Sequence, residues 1–234
     1  MGRGAFFGEL YLRSTKPFLF DSLTDAEVQF LRPRLQPGRI LDLGCGHGRH
    51  ARQLGPGAIG VDADALSLGE ASAFGPVVRG DLRALPFRPQ AFRSAFAWYN
   101  SLGTFETPEV ATILEGVARS LGPAGVLIVQ GSNPALARRR PEASYEGRLP
   151  DGSTLREDCR WSSERRRDAL ERHLTLPEGR VMAASFFIRY YELQEWRALL
   201  EPAGFLVDWV CGGIDGSALL DDSMDVIVGA HKRG

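Results

Sequence analysis

Three glycines at two-residue spacing, Gly44, Gly46 and Gly48, follow directly on a short apolar run, Ile40-Leu41-Asp42-Leu43. Glycine tolerates positive φ and, having no Cβ, lets a ligand lie against the backbone. Where a helix follows such a turn, its first amides are unpaired and can hold a polar or negative group. Asp62 stands twenty residues beyond Asp42 and closes a second apolar run, Ala58-Ile59-Gly60-Val61. An ionised carboxylate only accepts, so at that place it can take two hydrogen bonds from ribose hydroxyls. Asp81, followed by Leu82, closes a third short run, Val77-Val78. Its carboxylate can accept from an adenine amino group while Leu82 packs on the ring. The chemistry these positions share is the holding of a nucleoside.

The glycine spacing narrows the ligand. A dinucleotide-binding turn reads G-x-G-x-x-G/A, but the third glycine position is Arg49. The phosphate loop G-x-x-x-x-G-K-[ST] is absent too. A pyrophosphate cofactor therefore loses ground.

These residues need a scaffold that brings the ends of neighbouring strands together. From Arg39 the chain alternates strand-like and helix-like segments. Strands are expected at 40–43, 58–61, 77–78, 94–98 and 126–130, with helices between them. The clearest helix is 109–121, where Val110, Ile113, Leu114, Val117 and Leu121 fall at helical spacing. Such alternation implies a parallel sheet covered by helices on both faces, an α/β doubly wound fold. Residues 1–38 precede this core as a helical lid segment, in which Thr24 with Glu27 reads as a capping box. Residues 132–190 break the alternation. Pro177-Glu178-Gly179 reads as a hairpin turn between two strands of an antiparallel insertion over one end of the sheet. Residues 191–234 return to the core with a helix, then strands at 205–210 and 225–230. The whole is expected to be one domain of 234 residues, with residues 39–131 as its cofactor-binding part.

At this length of motif a family emerges. Leu41-Asp42-Leu43-Gly44-Cys45-Gly46, then Gly60-Val61-Asp62, then Gly80-Asp81-Leu82 resemble the class I S-adenosylmethionine-dependent methyltransferases, of the bacterial small-molecule type. Leu121 to Gly125 and Ala203-Gly204-Phe205 match the turns that precede the family's fifth and sixth strands. The resemblance implies a Rossmann-like sheet of about seven strands, mostly parallel, with the last strand antiparallel between the fifth and sixth. It implies S-adenosyl-L-methionine as cofactor, held by the backbone of Gly44, Cys45 and Gly46, by Asp62 at the ribose with Ala63 beside it, and by Asp81 with Leu82 at the adenine. Asp42 holds the loop or reaches the methionine ammonium indirectly. His47 and Ala63-Asp64 depart from the family's small hydroxyl residues at those positions.

In the family, the segment Ala97 to Phe105 lies beside the sulfonium. Tyr99 and Asn100 are the candidates for lining the transfer site and positioning the acceptor, Tyr99 also touching the cofactor; a structural role is open for both. The N/D-P-P-Y/F motif of nucleic-acid amino methyltransferases is absent. Tyr11 is a candidate lid residue, and Arg189 and Tyr190 are candidates for substrate contact, with packing and ion pairing as the alternative. His47 and His50 lack the further ligands a metal site needs, so no metal is expected.

Charge sets the partners. With 28 basic and 29 acidic residues the net charge is −1, so broad attraction to nucleic acid is weak. Cys45, Cys159 and Cys211 are scattered, and no run of apolar residues spans a membrane. A cytoplasmic monomer or homodimer acting on N or O of a small-molecule substrate fits these features. A nicotinamide oxidoreductase or a non-catalytic nucleoside-binding module remains as an alternative, with an RNA methyltransferase behind them.

Overall fold

The computed structural model describes residues 6–234. Its seven-stranded sheet is built from β1 (Ile40–Leu43), β2 (Ala58–Asp62), β3 (Val77–Arg79), β4 (Phe92–Ala97), β5 (Leu121–Ser132), β10 (Phe205–Cys211) and β11 (Asp225–Lys232). The spatial order is β10-β11-β5-β4-β1-β2-β3. The pairings β1–β2, β1–β4, β2–β3 and β4–β5 are parallel, and β11 runs antiparallel to both β5 and β10. Strands covered on both faces must be apolar throughout. Accordingly Leu41, Leu43, Phe96, Leu127 and Ile128 are fully buried. The order reverses between β1 and β4, so a crevice opens at their carboxyl ends, where open sheets of this kind take ligands.

Helices cover both faces: α3 (Arg49–Leu54), α4 (Ala65–Ala71), α5 (Thr107–Ser120) and α7 (Leu193–Leu200). α5 buries Val110, Ile113, Leu114 and Val117, the stripe its spacing foretold, but it starts two residues early because Glu106 and Glu109 form a capping box. β5 also exceeds its expected span. The glycine turn before it is absorbed as an irregularity in pairing with β4, with Ala124 at φ 54°.

One expectation fails at the N-terminus. α2 spans Asp21–Leu31, so Thr24 lies inside the helix and does not cap it. Its hydroxyl bonds back to the Phe20 carbonyl at 3.4 Å and receives Arg49 Nη1 at 3.1 Å. Glu27, the supposed second half of the capping box, is buried against Arg49 and His50. The S/T-x-x-E pattern here serves a buried charge network one helix away.

The insertion is a second sheet, four antiparallel strands in the order β6 (Glu142–Arg148), β7 (Thr154–Ser162), β8 (Arg167–Thr175) and β9 (Val181–Arg189). Period-two alternation puts Glu157 and Cys159, then Asp168, Leu170 and Arg172, then Phe186 and Ile188 on the face turned to the core domain. The register aligns them in rows: Cys159 with Leu170 and Phe186, Glu157 with Arg172. The same sheet forms a small core with the N-terminal segment, in which Phe6 and Leu10 of the stretch leading through α1 (Glu9–Ser14) pack with Leu155, Leu174 and Ala184. Lid and insertion thus stabilise each other.

Candidate active site

The glycine turn leaves β1 with Gly44, Gly46 and Gly48 at φ 72°, 53° and 80°, values that favour glycine. Close packing adds a second demand. A Cβ on Gly48 would lie 2.8 Å from the Ala71 Cα, and one on Gly44 would lie 3.0 Å from Ser101 Oγ. Asp62 ties the turn down: its Oδ2 accepts the Gly46 amide at 2.9 Å and its Oδ1 the Asp64 amide at 2.9 Å. Each oxygen keeps a second lone pair. Burial raises the Asp62 carboxyl, against the backbone hydrogen bonds that lower it.

Asp42 lies beneath the turn, 2% exposed, and its Oδ2 has no hydrogen-bond partner. Burial pushes it up to about 7. Cys45 is buried against Gly60, and burial drives its thiol far up, so it is inert.

Two cavities meet at the turn, sharing Gly44, Asp62, Ser101 and Thr104 as walls. One, about 470 Å³, lies over the tips of β2 and β3 and is lined by Ala63, Leu66, Gly80, Asp81, Leu82 and Phe105. Asp81 is engaged at its own end: it caps the Arg83 amide at 2.9 Å and pairs with the Arg83 guanidinium, Nε lying 3.0 Å from each oxygen. Arg83 also holds Glu109 at 2.6 Å. Sequence reasoning did not find this arginine.

The second cavity, about 380 Å³, lies past the turn, between the tip of β4 and the insertion. Tyr99 and Asn100 follow that tip, both at positive φ, 54° and 59°. Two successive non-glycine residues there hold strained backbone, a feature that gathers at functional sites. Asn100 is tied to β5, accepting the Ser132 amide at 2.8 Å and donating to Ser132 Oγ at 3.0 Å. Tyr99 faces the cavity, its ring 5.9 Å from the Arg49 guanidinium carbon. Tyr11 stands over the turn, its hydroxyl 3.8 Å from where a Gly46 Cβ would be, and packs edge-on to Phe6.

The two candidates at the end of the insertion part company. Tyr190 lines the cavity and donates to Asp168 Oδ2 at 2.9 Å. Arg189 is turned away, to the Arg165 carbonyl at 2.6 Å and Glu195 at 2.8 Å, so it is not brought to the cavity. Neighbours on a strand point to opposite faces, and only one of an adjacent pair can face the ligand.

The sequence reading also passed over the charged residues of this chamber. Arg172 bridges Glu157 (Nε–Oε2 2.6 Å), Ser14 (3.1 Å) and Thr15 (2.5 Å), bolting the insertion to the N-terminal segment. Arg49, noted only as a departure from a dinucleotide turn, is buried and paired with Glu27. Burial pushes His47 down to about 4, and it also lowers His50, against the raising hydrogen bond from Glu27. Both rings are therefore neutral near pH 7. Among the described residues no group of three or more His, Cys, Asp or Glu is placed to hold a metal ion, and no helix is long and apolar enough to cross a membrane.

A seven-stranded sheet with its last strand reversed, carrying a glycine turn and carboxylates at successive strand tips, defines an S-adenosylmethionine-dependent methyltransferase fold. Residues 40–125 match the family model described as methyltransferase domain. Solved structures of the same fold include the CcbJ methyltransferase from Streptomyces caelestis (18% identity, 92% of this chain and 93% of that one, TM-score 0.79). An S-adenosylmethionine-dependent methyltransferase from Clostridium acetobutylicum ATCC 824 is 13% identical over 97% of this chain and 98% of its own, with TM-score 0.82. The sugar N-methyltransferase KedS8 from Streptoalloteichus sp ATCC 53650 is 20% identical over 95% and 90%, with TM-score 0.68. No curated protein sequence matches this one.

Proposed function

We propose that this protein transfers a methyl group from S-adenosylmethionine to a nitrogen or oxygen of a small molecule. The observation that carries the reading is the junction at Gly44: two cavities, one beside Asp62 and Asp81 and one under the insertion, meet across a residue with no side chain. The residues fit the cofactor. Asp62 has lone pairs left for ribose hydroxyls, Leu82 offers an apolar wall for a purine, and the orphaned Oδ2 of Asp42 matches the family's positively charged methionine end.

The cofactor supplies a sulfonium-activated methyl group, which needs no further activation by the protein. This chain's share is alignment and exclusion of water, which can be worth on the order of 7–11 kcal/mol when the reacting atoms are well placed. The insertion and the Tyr11 lid enclose the chamber; Tyr99 and the Asn100-anchored backbone shape its floor. A base is needed only for an acceptor that arrives protonated.

The nicotinamide alternative is disfavoured by Arg49, whose buried guanidinium occupies the position where a dinucleotide turn needs glycine. The test is a screen with tritiated-methyl cofactor over small-metabolite, RNA and protein pools. Label in a small-metabolite fraction is the expected result. Label confined to RNA or protein would overturn the small-molecule reading, and no label despite tight S-adenosylhomocysteine binding would leave a nucleoside-binding module.

A further inference from the structure

Every cation lining the second cavity already has its anion. Arg49 is paired with Glu27 and Arg172 with Glu157, while burial keeps His47 neutral. The anions do not balance so neatly. Asp42 and Asp62 belong to the glycine turn, but Asp168 sits across the chamber, on the inner face of β8, and no cationic side chain bonds to it. It is 7% exposed. Its Oδ2 takes the Tyr190 hydroxyl at 2.9 Å, and its Oδ1 is buried with no hydrogen bond. Its neighbour Cys159, kept protonated by burial and then by the carboxylate, turns its thiol toward Asp168, but a thiol is a weak neutral donor that brings no positive charge.

A buried carboxylate is costly unless its lone pairs are filled and its charge compensated. Structural carboxylates in this same protein meet that condition, as Glu27 and Glu157 do. Asp168 is half satisfied and lines a cavity, and what it lacks is a donor that also brings positive charge. We propose that Asp168 is the acceptor-recognition carboxylate of this chamber, and that the acceptor carries an amino group whose N–H donates to Oδ1. The inference rests on reading the second cavity as the acceptor chamber. Tyr190 acts as a positioning residue. Its hydroxyl fixes one carboxylate oxygen, and its ring stacks 6.1 Å from Trp161 at 7°, so the other oxygen has a defined direction. Leu170, Phe186 and Ile188 beside it supply apolar walls for the body of such an amine.

A hydroxyl would fill the lone pair without compensating the charge, which is why the chemistry favours an amine over an alcohol. The experiment uses the whole chain saturated with S-adenosylhomocysteine. Matched sets of fragments sharing one ring skeleton (primary amine, alcohol, methyl) are titrated by ligand-observed NMR. The amines are expected to bind about tenfold or more tightly than their alcohols. Asp168→Asn should abolish that preference with S-adenosylhomocysteine affinity unchanged, whereas Tyr190→Phe should weaken it and leave its sign. Equal binding of amine and alcohol, no binding by any amine, or a preference that survives Asp168→Asn would each overturn the proposal. The wild-type comparison stands even if the Asn variant folds poorly. Failure to bind S-adenosylhomocysteine at all would instead strike the methyltransferase reading itself.

Discussion

His50 Nε2 lies 3.0 Å from Glu27 Oε2, the oxygen that also receives the Arg49 guanidinium, and all three side chains are buried. Glu27 is on α2 and its partners are on α3, the helix that leaves the glycine turn. The N-terminal segment is therefore fastened to the cofactor end of the sheet through a buried carboxylate, with the Asp21–Arg52 and Asp25–Gln53 contacts joining the same two helices at the surface.

Removing that carboxylate leaves a buried cation. Glu27→Gln should cost about 3–5 kcal/mol of stability, the usual penalty for breaking one side of a buried pair, read as a lower urea midpoint. The pH dependence has a definite sign. Burial favours protonation of Glu27, but the hydrogen bonds from His50 and Arg49 outweigh it and hold the carboxyl below its ordinary value. His50 is lowered from 6.5 chiefly by burial. Below pH 6.5 an unfolded His50 takes a proton that the folded ring resists, and lower still the unfolded Glu27 does the same. The contribution of this pair should thus fall as pH falls, and Glu27→Gln should remove its more acidic part. A stability difference between wild type and Glu27→Gln that stays constant as pH falls below 4.5 would contradict this.

Gly44 separates the two cavities. Gly44→Ala would place a methyl 3.0 Å from Ser101 Oγ at φ 72°. The left-handed conformation alone costs about 1–2 kcal/mol for a non-glycine residue. S-adenosylhomocysteine affinity should drop by about tenfold or more, measured by calorimetry, and a variant that binds like wild type would show that the junction tolerates a side chain.

Asp42 predicts a second pH effect of opposite sign. Its folded value is raised from 3.8 to about 7 by burial. Between those values the folded state holds a proton that the unfolded state has lost, so this group's contribution to stability falls as pH rises through that window. Asp42→Asn should flatten it. If the ionised carboxylate faces the ammonium of the ligand, S-adenosylhomocysteine affinity should rise from roughly pH 6 to 8 in wild type and stay level in Asp42→Asn. Parallel profiles would remove Asp42 from ligand binding.

The sheet was legible because its strands are continuous apolar runs ending in glycine or aspartate, and a strand buried on both faces has no alternative pattern. Gly44, Asp62 and Asp81 were legible because strand ends in a parallel sheet converge whatever lies between them. The insertion was different. Asp168, Arg172 and Glu157 gain meaning only from the register of β7, β8 and β9 and from what that face covers. A signal did exist: Asp168, Leu170, Arg172 and Leu174 alternate in a strand whose other face is charged. Arg189 and Tyr190 are adjacent in sequence, yet period two turns them to opposite sides, and only Tyr190 lines the cavity. Thr24 and Glu27 matched a capping pattern that carries no information about a partner on another helix.

Arg172→Ala should loosen the lid without touching the glycine turn. The guanidinium holds Glu157, Ser14 and Thr15 and lies 4.9 Å above the Phe6 ring. Hydrogen exchange at the end of α1 should speed up by on the order of ten- to a hundredfold, the loss of one or two charge-assisted bonds. Unchanged protection there would mean that the lid is held by Phe6 and Leu10 alone.

The most direct test of the central claim is a calorimetric titration of S-adenosylhomocysteine into wild type and Asp62→Ala, with NAD as control. Expected are saturable one-site binding to wild type, no heat with NAD, and loss of about a hundredfold or more in affinity for the variant, as two hydrogen bonds to a half-buried carboxylate disappear. Full affinity in Asp62→Ala, or binding of NAD in place of S-adenosylhomocysteine, would contradict a nucleoside held at the tip of β2.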